Sequence, residues 1–157
     1  MLLRAKLVVA FLAALLLLVA GAAQAASLTR TETRLLALVN GARAHYGVPP
    51  LRVDWTLEAA ARAHSAEMMR SNSFGHGNFY GRVRSFGVAG GIFGENIAWG
   101  SGTDARAAAI VQEWLASPEH RANLLRPEFR RIGIGALGGQ FAGLHGVVVV
   151  TADFAGK

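Results

Sequence analysis

The sequence predicts a mixed α+β domain with helices layered on a small sheet, and three observations predict it. Apolar residues recur at helical spacing in separate segments between Thr31 and Ala116. After Pro127 the period changes to two, with β-branched residues enriched. The segments are divided by proline and glycine signals where a chain must bend. Helices followed by a small terminal sheet bury one another's apolar faces as layers.

The first helix is expected from Thr31 to Tyr46, where Leu35, Leu38, Val39, Ala42 and Tyr46 form a stripe. Gly47 stops it, and Val48-Pro49-Pro50 is extended because a residue before proline avoids the helical region. Asp54 caps a second helix that places Leu57, Ala61, His64 and Met68 on one face. Asn72 to Gly77 breaks that helix. From Phe79 to Gly102 the chain reads as Gly-rich and irregular, with a short helix around Tyr80 to Phe86. A third long helix is expected from about Asp104 to Ala116, with Ala107, Ile110, Val111 and Trp114 facing inward. Ser117-Pro118-Glu119-His120 starts a fresh helix, with Ser117 as its cap, Pro118 in its first turn and Glu119 complementing the dipole. Arg131 to Gly135 alternates as a strand, Val147 to Val150 is a β-branched run, and Gly138-Gly139 through Gly146 joins them as a hairpin.

Residues 1–26 carry a different signature. Arg4 and Lys6 precede an apolar run from Leu7 to Ala20, and Ala23-Gln24-Ala25 supplies small residues for cleavage. That is the layout of a secretory signal peptide, and the apolar run is shorter than the roughly 20 residues that span a bilayer. The expected division is therefore a signal peptide over 1–26 and one domain over 27–157, secreted or periplasmic after cleavage, with no stable transmembrane segment.

Without Arg4 and Lys6 the chain holds 14 basic and 10 acidic residues, a net charge of +4. The arginines are scattered rather than gathered in a basic stripe, which argues against nucleic acid and for a solvated surface suited to an anionic envelope. The absence of cysteine excludes a disulfide scaffold, a thiolate metal site, a Cys nucleophile and a lipid-modified cysteine.

Several phrases occur together: Leu38-Val39-Asn40 with Arg43, Pro50-Leu51, Ala60-Ala61 with His64 and Met68, Phe74-Gly75-His76, and Arg82. Gly94-Glu95-Asn96-Ile97-Ala98 follows, then Trp114, Ser117-Pro118-Glu119-His120-Arg121, Asn123-Leu124-Leu125, Pro127, Phe129 and Ile132-Gly133-Ile134-Gly135. In this order they resemble the CAP superfamily of cysteine-rich secretory proteins, antigen five and pathogenesis-related class 1 proteins, in its cysteine-free bacterial SCP-like branch. The resemblance covers about Thr33 to Phe154 and implies an α-β-α sandwich around a central antiparallel sheet. It also implies that His76, Glu95 and His120 line a central cavity.

The residues themselves allow more than one chemistry. His76 sits between Gly75 and Gly77, Glu95 lies in a Gly-rich stretch, and His120 projects from a first helical turn whose dipole favours a neutral ring. Two imidazoles and a carboxylate would suit a divalent metal such as zinc with an open position. Equally, Glu95 could tie its own segment down by hydrogen bonds and His120 could cap its helix. His64 reads as a packed core histidine, His45 as a helix-end residue and His145 as a turn residue. The four-residue metal set of animal and plant members does not carry over, because Ser117 stands three residues after Trp114 and Phe129-Arg130-Arg131-Ile132 lacks histidine. Glu113 points elsewhere around its helix. Ser73, Ser101 and Ser117 show no nucleophile pattern, and Gly87 to Gly102 lacks the context of a phosphate loop. The expected function is a non-enzymatic binder of an unidentified ligand or partner, lipid or envelope component included. A metal-dependent hydrolase using His76, Glu95 and His120 is the alternative from another class, and a passive interaction module is the third.

Overall fold

Helix α1 (Arg30–His45) begins where Thr29 and Glu32 cap one another: the Thr29 amide donates to Glu32 Oε2 at 2.7 Å and the Glu32 amide to Thr29 Oγ1 at 3.3 Å. In this computed structural model residues 27–157 are described, so the expected signal peptide lies outside the described residues. After α1 the chain crosses to β1 (Arg52–Val53) and enters helix α2 (Trp55–Ser71). There Asp54 Oδ1 accepts from the amides of Thr56 and Leu57 at 2.9 and 3.2 Å. A short helix α3 (Phe79–Ser85), strand β2 (Ile92–Ser101), helices α4 (Ala107–Ala116) and α5 (Pro118–Leu125), and strands β3 (Phe129–Phe141) and β4 (Leu144–Gly156) complete the described chain.

The sheet runs β1-β3-β4-β2, with β3, β4 and β2 antiparallel and the two-residue β1 added in parallel at the edge. Period-two alternation sorts its side chains onto two faces. Val150, Ala152 and Phe154 of β4 pack with Leu35, Ile110, Trp114 and Leu124 of α1, α4 and α5. Val147 and Val149 pack with Met68 of α2, and Ala155 with Leu57 of α2 and Val83 of α3. The result is the helix–sheet–helix sandwich the sequence predicted.

On β3 the alternation has an unexpected partner. Ile132 and Ile134 enter the α1 side, while Gly133 and Gly135 turn towards α2, whose backbone presses directly on them. A methyl group at Gly133 would stand 2.1 Å from the Leu57 carbonyl carbon, and one at Gly135 2.4 Å from the Ala61 carbonyl oxygen. The glycines are therefore the seat of a helix.

Four expectations need correction. The stretch from Phe79 to Gly102 is not irregular throughout: β2 occupies its second half and pairs along its whole length with β4. Its glycines hide the strand period. The third long helix begins at Ala107, because residues 102–105 form a turn in which Gly102 takes φ +56° and the Asp104 amide donates to Ser101 O. Ser117 stands at the start of α5 in extended geometry, but its side chain makes no capping hydrogen bond. The hairpin turn is Ala142-Gly143, both at positive φ, so Gly138-Gly139 and His145 belong to the flanking strands.

Buried Arg43 ties the α1 layer together. Its guanidinium donates to the carbonyls of Pro49, Leu124, Arg126 and Phe129 at 2.7, 2.7, 3.1 and 3.0 Å. Four oriented carbonyl dipoles thus replace the water that a buried cation needs.

Candidate functional site

The α2/α3 face of the sheet carries an ionisable cluster. Glu95 on β2 is paired in register with Asp153 on β4, and Gly133 on β3 stands on the other side of Asp153. Both carboxyl groups therefore project side by side towards α2 and α3. Helix α3 supplies Arg82, whose Nη2 donates to Glu95 Oε2 and lies 3.7 Å from Asp153 Oδ1. The Gly75–Gly77 loop supplies His76, whose Nδ1 stands 2.7 Å from Glu95 Oε1. Helix α2 supplies His64, whose Nε2 is 3.0 Å from Gly75 O and 3.8 Å from Glu95 Oε2.

Burial sets the electrostatics. Glu95 is pushed up to about 7 by desolvation, against the lowering influence of Arg82. Asp153 is fully buried and raised well above the usual carboxyl value, by desolvation first and the neighbouring Glu95 charge second. Neither Asp153 oxygen has a hydrogen-bond partner. One arginine thus faces two carboxyl groups that resist being ionised together. His64 is held below the usual imidazole value by burial and then by Arg82, which favours the neutral ring.

The loop around His76 separates two clefts. One, of about 450 Å³, is lined by His76, Phe79, Tyr80, Phe93, Glu95 and Asn123. Its walls are partly aromatic, and Tyr80 is 60% exposed at its rim. The other, of about 400 Å³, is more polar and lies between α2 and α3, reaching His64 and Arg82. Ser71 and Ser85 at its edge donate their hydroxyl hydrogens to the carbonyls of Glu67 and Arg82.

Of the three residues singled out from the sequence, His76 and Glu95 meet and share the first cleft. His120 does not line it. Its α5 neighbour Asn123 does so instead, donating from Nδ2 to Glu95 O and to Asn96 Oδ1, both at 3.0 Å. His120 O accepts from Asn96 Nδ2, and its buried Nδ1 has no hydrogen-bond partner. Its ring is held below the usual imidazole value by burial, a different cause from the helix dipole expected. The fit to a metal is poor. Among the described residues no three His, Asp or Glu side chains stand together as a metal-holding group, and Glu95 is already engaged by His76 and Arg82.

Sequence reasoning did not assign Arg82, Asp153, Asn123 or His64 to the site. For Asp153 a signal existed: an acidic residue amid the apolar run after Val147 must be paired or neutralised once buried. Only the register shows that its neighbour is Glu95. His64 is a packed histidine bonded to backbone, as expected, but it also reaches the second cleft.

Residues 36–154 match the family described as CAP: Cysteine-rich secretory protein family. The chain is 37% identical over 114 residues to the uncharacterized protein YkwD of Bacillus subtilis (strain 168), covering 69% of this chain and 43% of that protein. It is 31% identical over 84 residues to pathogenesis-related protein 1C of Nicotiana tabacum, covering 54% of this chain and 43% of that protein. The chain thus spans less than half the length of these curated relatives. Among solved structures, an extracellular protein containing a SCP domain from Bacillus anthracis is similar with a TM-score of 0.69 and 27% identity, over 83% of this chain and 45% of that one. An outer surface protein from Borrelia burgdorferi shares the fold with a TM-score of 0.66 at 20% identity, over 82% of this chain and 97% of that one. Among the described residues no helix is long and apolar enough to cross a membrane.

Proposed function

The chain belongs to the cysteine-rich secretory protein (CAP) family, and on that premise we propose that it is an exported, non-enzymatic binding domain that takes a ligand at the cleft beside His76 and Glu95. One observation carries this reading: the cleft is open and partly aromatic, while the carboxylate at its base is already held by His76 and Arg82. A carboxylate held on both oxygens is placed to orient and anchor a ligand. Among the described residues no cleft serine is hydrogen-bonded to an imidazole, the contact that would activate a hydroxyl. The engagement of Glu95 by His76 and Arg82 favours binding over the metal-dependent hydrolase alternative. Export is supported by the leader pattern of residues 1–26 and by the extracellular and outer-surface similar structures. A lipid or another envelope component suits the aromatic wall.

The test is mass spectrometry of small molecules and metals carried by the protein purified from its native host. A compound that co-purifies with the wild-type protein and is lost from Tyr80→Ala is the expected result. One zinc per chain, together with a hydrolytic activity abolished in His76→Ala, would overturn the reading.

A further inference from the structure

A further cleft, of about 740 Å³, opens where β1, β3 and α2 begin, and it shares no residue with the cleft beside His76. Arg52, Asp54, Trp55, Arg130 and Arg131 are among the residues that line it. The strand register explains how the charges gather there. Arg52 of β1 pairs with Arg131 of β3, so the two side chains leave the sheet on the same face. Like charges directly opposite one another weaken a strand pair. Asp54 answers one of them, its Oδ2 accepting from Arg131 Nη1, while Arg131 Nη2 donates to Ala89 O.

The other two arginines have no carboxylate. Among the described residues the exposed Arg52 side chain makes no hydrogen bond or ion pair. Arg130, also exposed, reaches only the carbonyls of Pro127 and Phe129, both through Nη1. Leaving Lys157 at the rim aside, three guanidinium groups face one carboxylate, an excess of two positive charges. Asp54 Oδ1 already takes the Thr56 and Leu57 amides, so the start of α2 is capped and the attraction for an anion comes from the arginines.

Trp55 gives the cleft its second character. It stands at the first position of α2 and is 48% exposed, an indole left half in water beside unanswered cations. A basic patch alone attracts any anion, and an exposed indole alone takes any flat apolar group. One cleft that holds both selects a molecule that carries both. The guanidinium fork matches a carboxylate or a phosphate in bidentate fashion, and the indole face takes a ring. The volume falls in the range of about 300–1,000 Å³ usual for small-molecule sites.

We propose that this cleft binds a small organic anion, an apolar ring bearing a carboxylate or phosphate group, with the anionic group on Arg52 and Arg130 and the ring against Trp55. It is a site separate from the cleft beside His76, and a ligand held here leaves His76 and Tyr80 untouched.

The test is an NMR titration of the isotopically labelled protein with probes that separate the two contributions. Benzoate and phenyl phosphate carry both features, benzamide only the ring, and acetate only the anion. The two aromatic anions should shift the Trp55 indole N–H and the Arg52 and Thr56 amides, and leave the indole N–H of the fully buried Trp114 in place. They should bind at least about tenfold more tightly than benzamide or acetate. Arg52→Gln, at an exposed position whose side chain bonds nothing, should keep the fold and weaken benzoate about tenfold while leaving benzamide unchanged. Trp55→Ala should bring benzoate down to the level of acetate. No shift at the solubility limit of either aromatic anion, benzamide or acetate binding as well as benzoate, shifts centred on Phe79 and Tyr80 instead, or unchanged benzoate binding in Arg52→Gln would each overturn the inference.

Discussion

Two pairs of buried carboxyl groups, each gathered around one arginine, differ in what they do for this protein. Glu32 and Glu58 meet Arg62 at the outer edge of β3, while Glu95 and Asp153 meet Arg82 on the face of the sheet. The first pair completes the sheet. Strand β1 is two residues long and covers β3 only at Arg131 and Ile132, so the next outward amides have no strand to bond. The Ile134 amide donates to Glu58 Oε2 at 2.7 Å and the Ala136 amide to Glu32 Oε1 at 3.3 Å. Two carboxylates thus continue the ladder where the edge strand stops. Burial works to raise Glu32, but hydrogen bonds from Arg62 and Thr29 outweigh it and hold the group below the usual value. Glu58, with one backbone amide against the same burial, is raised to about 7.

The second pair has no backbone amide on either carboxyl group. Glu95 is held by side chains from a loop and a short helix, and Asp153 has no hydrogen-bond partner. The same residue types therefore give a structural device where backbone donors converge and a poised, incompletely satisfied site where they do not. Satisfied buried networks rigidify a fold, and partly satisfied ones are retained where a ligand or a proton has a use for them.

The largest effect expected from this comparison is that of removing the arginine of the site. Arg82→Met leaves two buried carboxyl groups without a cation and should lower stability by about 3–5 kcal/mol at neutral pH, measured by urea unfolding. A loss below about 1 kcal/mol would mean that solvent already screens this cluster.

A middle-sized effect separates the two pairs by sign. Glu32→Gln weakens the charge-assisted bonds from Arg62 and from the Ala136 amide and should cost about 1–3 kcal/mol at pH 8. Asp153→Asn removes one of two facing carboxylates and gives Glu95 an amide donor, so it should stabilise by about 1 kcal/mol at pH 8 and little at pH 5. The direction follows from linkage. Glu58 and Glu95 are raised from 4.5 to about 7, so at these two sites the folded chain holds more protons than the unfolded one between those values. Their contribution is fully present below pH 4.5 and is lost as pH rises through about 7. His64 and His120, lowered by burial, act oppositely, so the loss is read as the pH-dependent difference in unfolding midpoint between the wild type and Asp153→Asn. Glu32, lowered, acts oppositely at more acid pH, and its contribution is lost as pH falls through its folded value. A Glu32→Gln protein stabilised at pH 8, or an Asp153→Asn protein destabilised there, would break the contrast.

The smallest effect belongs to His76. Its side chain is 55% exposed, so His76→Ala should change stability by less than about 1 kcal/mol even though it touches Glu95 at 2.7 Å. A larger loss in thermal unfolding would make the site a structural tie like the pair around Arg62.

The helices of this fold were legible because each announces itself locally. The stripe through Leu35 and Val39, the Asp54 cap and the inward Trp114 follow from spacing and from side chains that bond their own backbone. Strand β2 was not legible, because its glycines blur the alternation and its partner lies some fifty residues away in β4. The hairpin turn was misplaced for a related reason: Gly138-Gly139 looks like punctuation, yet the chain reverses at Ala142-Gly143.

By itself the sequence determined the layered α+β class and the family resemblance, and it nominated His76 and Glu95 for the candidate site. All of these depend on local periodicity or on a motif contiguous along the chain. Only the tertiary structure decided that Asp153 stands beside Glu95, that Arg82 serves both, and that Asn123 rather than His120 lines the cleft. Register and helix rotation place those side chains, and both are set by long-range packing, here by the seating of α2 on Gly133 and Gly135. A change of one residue in register would turn Asp153 to the opposite face of the sheet.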